Sequence, residues 1–172
     1  MTRRVFWIPA AGLALNSCGY HVSGKADLLP KTIHTIAIPA FYNNTRRQRL
    51  PEKLTTAVTR EFITRSRYRI VPDANAADAL LQGSVVNYVS YPTVSDPDTG
   101  RATGVQFSVF LSITLTERLS GKVLFARPNM EVRERYEISV DERAYFEESD
   151  AAIERLSRDV ARSLVSAILS GF

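Results

Sequence analysis

The chain has 172 residues, of which 22 are Lys or Arg, 18 are Asp or Glu, two are His and one is Cys. This length fits one domain that buries about two-thirds of the surface of its unfolded chain. A single cysteine excludes a fold held by internal disulfides, and a formal net charge of +4 is too small to favour nucleic acid as a partner.

The first residues have the order of a bacterial secretory signal. Met1–Arg4 is short and basic, Val5–Leu15 is largely apolar, and the small residue Ser17 follows. The apolar run is shorter than the roughly 20 residues that a helix needs to span a bilayer. Residues 1–17 are therefore predicted to be a signal peptide.

Cys18 stands at the predicted cleavage site, where bacterial lipoproteins are modified. Leu15 and Ser17 match the lipobox at their positions, whereas the residue between them is less usual. The thiol would form a thioether to diacylglycerol and the new amino terminus would be acylated, and two or more acyl chains give stable anchoring. The alternative is an ordinary signal with a free cysteine. We predict lipidation at Cys18, a tether over residues 18–31 and a single domain over residues 32–172.

The first half of the domain is predicted to run strand, helix, strand. Residues 32–41 are β-branched and apolar, which indicates a strand, and residues 42–45 have the composition of a turn. Pro51 favours the start of a helix, and residues 68–71 favour a short strand. The apolar positions of the helix recur at a helical spacing and predict one buried face: Leu50, Leu54, Ala57, Val58 and Phe62.

Three long strands are predicted next. They cover residues 79–91, residues 103–119 and the segment from Lys122 onward, with a turn-rich hairpin tip at 92–102 and a tight turn at Ser120–Gly121. Apolar and polar residues alternate most regularly in the second strand, which predicts one buried and one solvent-exposed face. Its apolar positions are Val105, Phe107, Val109, Leu111, Ile113 and Leu115.

The last strand changes phase along its length. Val123 and Phe125 share one parity, whereas Met130 and Val132 share the other. One extra residue reverses the faces of a strand, so a β-bulge is predicted near Pro128–Asn129.

The chain closes with a predicted amphipathic helix. Its apolar stripe consists of Ile153, Leu156, Val160, Leu164 and Ile168. Two helices with one apolar face each, and a sheet with one apolar face, predict an α+β fold: a two-layer sandwich with both helices on one face of a mixed four- to five-stranded sheet.

The sequence contains no recognisable catalytic or metal-binding pattern. His21 lies in the tether and His34 in a strand, without the spacing of a metal site, and no Gly-rich phosphate loop or nucleophile elbow is present. A group of acids fits the solvated start of a helix better than paired catalytic carboxylates: Asp141, Glu142, Glu147, Glu148 and Asp150. We expect neither an enzyme nor a cofactor.

Basic residues form three groups that suit an anionic ligand. Removing Arg3 and Arg4 with the signal leaves 20 basic residues against 18 acidic ones, so anion binding needs local clusters of charge. The groups are Arg46, Arg47 and Arg49; Arg65, Arg67 and Arg69; and Arg101, Arg118 and Lys122. Paired arginines suit phosphates, whereas the alternative interpretation is solvated loop and edge charge.

Three segments resemble a known family. They are C-G-Y-H at 18–21, IHTIAIPAFYNNT at 33–45 and YRIVPDANAADALLQGSVVNY at 68–88, followed by two long hairpin strands and a final helix. This order is similar to that of the LptE family of lipopolysaccharide-assembly lipoproteins, over nearly the whole chain after Cys18. C-G-Y-H together with A-D-A-x-L-x-G is the most specific part of the resemblance.

The resemblance implies a non-catalytic protein held by its lipid anchor at the periplasmic side of the outer membrane. It implies an LptD-like β-barrel as partner, with the lipoprotein as plug and assembly partner during lipopolysaccharide transport, and contact with lipopolysaccharide itself. From position and charge alone, we expect Arg101, Arg118 and Lys122 to bind the phosphorylated lipid A portion.

Two alternatives remain open at the level of sequence. IAIPAFYNNT at 36–45 also resembles the first strand of lipoproteins that activate cell-wall synthases or build secretion pores, and a pore would form symmetric oligomers. A periplasmic enzyme is the second alternative, which a hydrolytic activity of the pure domain would revive.

Overall fold

The computed structural model describes residues 29–95, 97, 102–137 and 142–170. The predicted signal peptide, the lipidation site Cys18 and the proposed ligand residue Arg101 lie outside the described residues. The strands are β1 Thr35–Ala37, β2 Tyr42–Asn43, β3 Arg69–Val71, β4 Ala79–Ser95, β5 Ala102–Glu117 and β6 Val123–Glu137. The helices are α1 Arg49–Arg65 and α2 Glu142–Ser170, and a 3₁₀ turn covers Ala74–Ala76.

The strands form one mixed sheet in the order β3-β1-β4-β5-β6, with β2 paired to β4 beside β1. β1 lies parallel to β3 and β4, and β2 is also parallel to β4. β4, β5 and β6 form an antiparallel meander of long strands. The predicted α+β sandwich is confirmed, with six strands instead of four or five.

The predicted first strand over residues 32–41 is shorter in the structure, where β1 covers Thr35–Ala37 alone. β1 ends at Ala37, shortly before Pro39, which has no amide hydrogen for a ladder. The chain then returns to the sheet as β2, within the segment that was predicted to be a turn, and pairs with Ser84 and Val85. The prediction of a turn at 42–45 was therefore wrong for its first two residues, because parallel pairing with β4 is a tertiary contact that local composition does not reveal.

Both helices pack on the same face of the sheet. The predicted face of α1 is buried except for Ala57, which is half-buried, and the predicted stripe of α2 is buried together with Ala152, Ala161 and Val165. Lys53 lies 3.8 Å from Asp150, and Arg65 donates a hydrogen bond of 2.8 Å to Ser166. The two helices therefore run side by side in the same direction.

The strand β5 buries the alternating residues that its sequence predicts. Leu111 pairs with Met130 and Ile113 pairs with Arg127, so Pro128 and Asn129 stand opposite the single residue Ser112. The predicted bulge at Pro128–Asn129 is confirmed.

The turn between β5 and β6 is longer than predicted. The backbone N–H of Glu117 donates to the carbonyl of Lys122 over 2.8 Å, so residues 118–121 form the loop. Gly121 adopts a φ of +69°, which favours glycine. The backbone N–H of Arg118 donates to the carbonyl of Asp78, and this bond holds Arg118 out of the β5–β6 ladder. The prediction of a turn at Ser120–Gly121 alone was therefore wrong.

Candidate binding surface on the open face of the sheet

Neither described helix packs on the opposite face of the sheet, and we call its part on the second half of β4 and the strands beside it the open face. The buried residues of β5 point toward the helices, so the residues between them point away. The open face consists of Val89 and Tyr91 on β4, Gln106, Ser108 and Phe110 on β5, and Glu131, Arg133 and Arg135 on β6.

A β-bulge determines which residues of β4 reach the open face. Val85 pairs with Leu111 and Asn87 pairs with Phe110, so the phase of β4 reverses at Val86. Before the bulge Val85 is buried, whereas after it Val89 is 41% exposed. Both residues are odd-numbered valines, and only the bulge sends them to opposite faces.

One row of the open face joins three strands through polar contacts. Tyr91 pairs with Gln106, and Gln106 pairs with Arg135. The side-chain amide of Gln106 donates to the hydroxyl of Tyr91 over 2.5 Å, and Arg135 donates to the amide oxygen of Gln106 over 3.5 Å. Tyr91 remains 42% exposed, so its ring offers apolar surface beside these polar groups.

The neighbouring rows carry an ion pair. Two guanidinium nitrogens of Arg133 lie 2.8 and 2.9 Å from the two carboxylate oxygens of Glu131. The hydrogen bond from Arg133, with a further one from Ser108, lowers the pKa of Glu131, and the carboxylate in turn raises the pKa of Arg133. The open face is therefore a fixed mixture of exposed apolar side chains and paired charges, which suits binding of a large amphiphilic surface.

Of the predicted ligand residues, the two that the structure describes, Arg118 and Lys122, do not lie on this surface. The guanidinium Nε of Arg118 donates to the carbonyl of Ala77 over 2.6 Å, which ties the β5–β6 loop to the start of β4. Lys122 is exposed directly after the same loop and forms no ion pair with any described residue. Ala102, the sequence neighbour of Arg101, begins β5, and Arg118 follows the last residue of that strand. Sixteen residues of strand span about 50 Å, so the two ends of β5 are too far apart to share one headgroup.

Arrangements that would support catalysis are missing from the described part of the chain. His34 is exposed, and its backbone N–H donates to the carboxylate of Asp78, as does that of Thr35. These hydrogen bonds lower the pKa of Asp78 and fix its carboxylate in a structural role. Across residues 29–95, 97, 102–137 and 142–170, no three His, Cys, Asp or Glu side chains come together as metal ligands. Neither described helix is long and apolar enough to cross a membrane.

Comparison with protein families gives a match over most of the chain. A family model described as LptE, lipopolysaccharide-assembly, matches residues 33–168, which contain nearly all of the sandwich. No curated protein matches the chain significantly.

Solved structures of several lipoproteins are similar to this fold. A lipoprotein B from Nitrosomonas europaea aligns with a TM-score of 0.57 and 14% identity, covering 89% of this chain and 92% of that one. The rare lipoprotein B from Shewanella oneidensis aligns with a TM-score of 0.54 and 18% identity, covering 80% and 95%. PelC from Paraburkholderia phytofirmans, a dodecamer, aligns with a TM-score of 0.50 and 15% identity, covering 80% and 90%. At these identities the likeness concerns the fold.

Proposed function

The chain belongs to the LptE family of lipopolysaccharide-assembly lipoproteins, and from this premise we propose that it pairs with an LptD-like β-barrel in the outer membrane. In this role it serves as the plug and assembly partner of the barrel while lipopolysaccharide is moved to the outer leaflet. The single observation behind the proposal is the family match over residues 33–168. The role requires no catalytic group.

The open face suits the inside of a large barrel. The lumen of an outer-membrane barrel is lined mainly by polar side chains. The open face offers exposed Val89 and Tyr91 together with the Glu131–Arg133 ion pair, so a polar wall can dock there without leaving these two charges unpaired. The helices lie on the other face of the sheet and leave the open face accessible.

The lipidation predicted at Cys18 belongs to the same proposal. An anchor in the outer membrane confines the domain to the plane that holds the barrel, and confinement raises its effective concentration there. The tether over residues 18–31 would let the domain reach the barrel from the periplasmic side.

The ligand in this proposal is lipopolysaccharide, whose lipid A is a phosphorylated disaccharide. Arginine and lysine bind phosphates through charge-assisted hydrogen bonds. Arg101 belongs to the predicted hairpin tip and directly precedes β5 in sequence, whereas Arg118 and Lys122 lie at the other end of that strand. We therefore assign the two ends separate contacts instead of one shared site.

A pull-down tests the proposed partnership. The full-length, lipidated protein is purified from gently solubilised outer membranes, and the co-purifying proteins are identified by mass spectrometry. A stoichiometric large barrel protein supports the proposal. A cell-wall synthase in its place would contradict it and favour the activator alternative.

A ring assembly is the second candidate function, because PelC is a dodecamer with a similar fold. In this role the chain would form part of a secretion pore from copies of itself. Light scattering of the purified full-length protein in detergent distinguishes the two candidates. A monomer that joins one barrel supports the first proposal, whereas a large symmetric homo-oligomer supports the second.

A further inference from the structure

A second surface with unusual electrostatics lies beside the bulge of β4. An open pocket of about 580 Å³ is formed where the loop between β2 and α1 passes the strand. We call it the arginine pocket; its residues are Asn44, Thr45, Arg46, Arg47, Asn87 and Tyr88. It lies next to the open face: Tyr88 points to the helix side and stacks on the buried ring of Phe107 at 5.7 Å, whereas Asn87 pairs with Phe110 of the open face.

Arg47 is held in place from both its backbone and its side chain. Its guanidinium lies over the ring of Tyr88, with 4.9 Å between the central carbon and the ring centroid. Its backbone N–H donates to the hydroxyl of Thr45 over 3.2 Å, and its carbonyl accepts from the side-chain amide of Asn43 over 3.2 Å. Stacking on an aromatic face leaves the N–H groups at the guanidinium edge available to a ligand. Arg47 is therefore positioned before any ligand arrives.

The arginine pocket has positive charge without compensation. No carboxylate lines it, and neither Arg46 nor Arg47 forms an ion pair with any residue between 29 and 170 that the structure describes. Most of the other Lys and Arg residues of the helices and of β6 have a carboxylate partner. Those with a carboxylate within 4 Å are Arg49, Lys53, Arg65, Arg133, Arg155, Arg158 and Arg162.

The two asparagines add neutral hydrogen-bond donors. The side-chain oxygen of Asn87 accepts from the backbone N–H of Tyr88 over 2.8 Å, so its amide nitrogen is left to donate elsewhere. Asn44 is fixed to β4 by a bond from its backbone N–H to the carbonyl of Val85, over 3.0 Å. Its amide nitrogen lies 3.5 Å from the hydroxyl of Ser84, which leaves a second amide hydrogen free to donate.

We propose that the arginine pocket binds a phosphomonoester. A phosphomonoester carries close to two negative charges at neutral pH and three strong acceptor oxygens. Two uncompensated guanidinium groups match this charge, and the amides of Asn44 and Asn87 supply donors for the remaining oxygen positions. A carboxylate offers only one charge and two oxygens, so it leaves half of the pocket's charge uncompensated. This site does not depend on pairing with a barrel, and it lies away from the β5–β6 loop with Arg118 and Lys122.

The group that the pocket would recognise is a phosphate dianion with terminal oxygens, and two sources present it: free inorganic phosphate and a membrane lipid with a monoester headgroup. The experiment uses ¹⁵N-labelled full-length lipoprotein in nanodiscs. One arm adds sodium phosphate to phosphatidylcholine nanodiscs, with sodium chloride at matched ionic strength as reference. The other arm replaces part of the phosphatidylcholine, a phosphodiester, with phosphatidic acid, a phosphomonoester. The amide signals of Arg47, Asn87 and Tyr88 report binding.

We expect saturable changes at these three signals in at least one arm. In R46Q/R47Q the affinity falls at least about tenfold, since each lost charge-assisted hydrogen bond costs about 1.4 kcal/mol or more. Changes with inorganic phosphate identify a site for the free anion, and changes only with phosphatidic acid identify a lipid headgroup site.

The matched control is R60Q/R69Q, which removes the same charge from two exposed arginines elsewhere on the domain. The R46K/R47K variant retains charge without the planar fork and is expected to bind at an intermediate level. The proposal is overturned if neither arm changes the three signals, or if R46Q/R47Q binds like the control. If the barrel still co-purifies with R46Q/R47Q, pairing with the barrel does not depend on the arginine pocket. The proposed partnership and the proposed phosphate site can then be judged separately.

Discussion

The ring of Phe41 lies against the backbone of Gly83 so closely that a Cβ at position 83 would fall 2.6 Å from three carbons of the ring. Phe41 is buried at the end of the IAIPAF segment, and Gly83 closes the A-D-A-x-L-x-G segment on β4. The two stretches that carry the family resemblance are therefore two sides of one packing contact. The packing of Phe41 on Gly83 is enough to explain why these two residue types occur at these positions, and ligand binding is not needed as an explanation.

Replacement of Gly83 by alanine is predicted to destabilise the fold. The new methyl group forces the Phe41 ring out of its position, and overpacking of this kind costs about 1–3 kcal/mol. Urea unfolding of the purified protein measures the loss. The double variant G83A/F41L is the control, because a smaller side chain at position 41 makes room for the methyl group. Equal stability of G83A and the wild-type protein would show that the ring moves at no cost.

Asp78 joins the same two segments through hydrogen bonds. Its carboxylate accepts from the backbone N–H of Thr35 over 2.9 Å and from the Thr35 hydroxyl over 2.8 Å. The variant D78N is predicted to lose about 1–2 kcal/mol of unfolding free energy, the lower part of the range for charged hydrogen bonds because the site is partly exposed to solvent. Urea unfolding at neutral pH measures the difference, and a loss no larger than that of D73N would contradict the assignment.

The stability that Asp78 provides is predicted to depend on pH. Hydrogen bonds from His34 and Thr35 hold the pKa of Asp78 below its ordinary value in the folded protein. A lowered folded-state pKa means that the stabilisation is present above the unfolded-state pKa and is lost as the pH falls through the folded-state pKa. The stability difference between the wild-type protein and D78N should therefore shrink in acid. Unfolding curves from neutral pH downward test this, and a constant difference would be contrary to the prediction.

The fold could be predicted from sequence where the pattern of apolar residues is compatible with only one arrangement of strands. The strand β5 has strands on both sides and one buried face, so its apolar residues alternate from Val105 to Leu115. The bulge at Pro128–Asn129 was visible because the apolar parity changes across it. The pairing of β2 was not visible, because it depends on a strand that lies forty residues away in sequence.

The open face could not be located from sequence, because both parities of β4 are apolar around its bulge. The stretch VVNYVSY at 85–91 places a valine or tyrosine in each phase. Nothing in this pattern shows that the phase reverses at Val86. The basic residues were detectable from sequence, but several of their carboxylate partners were not, since Asp150 of α2 pairs with Arg49 and Lys53 of α1, and Glu134 of β6 pairs with Arg155 of α2.

Substitutions on the open face are predicted to weaken pairing with the barrel while leaving the fold intact. The change V89E/Y91S removes the two exposed apolar side chains and adds a charge that has no partner on a docked wall. Loss of interface anchors should reduce co-purified barrel roughly tenfold, while the unfolding free energy changes by about 1 kcal/mol or less. The control I63E places the same charge on α1, at a residue that is 60% exposed. Equal loss of barrel in both variants would refute docking through the open face.

The change C18S is predicted to release the protein from the membrane without unfolding it. Removal of the thiol prevents thioether formation, and a domain without acyl chains has no stable anchor. Fractionation after cell lysis measures the soluble share, and circular dichroism checks the fold. As a control, S17A keeps a small residue before the cleavage site and should stay in the membrane fraction. C18S protein that remains in the membrane fraction in a strain lacking the barrel would show that something other than lipidation holds it there.

Arg118 and Lys122 are predicted to differ in function although they lie at the same end of β5. The Nε of Arg118 donates to the carbonyl of Ala77, so R118A should cost about 1 kcal/mol of stability and loosen the loop. Lys122 has no ion-pair partner among the described residues, so K122A should leave stability unchanged. If this end of β5 binds lipopolysaccharide, K122A alone should weaken that binding, and R101A should weaken it independently, because the two ends of the strand are about 50 Å apart. Titration of purified lipopolysaccharide against each single variant and the triple alanine variant measures these effects. Unchanged binding in the triple variant would remove all three residues from the proposed ligand contacts.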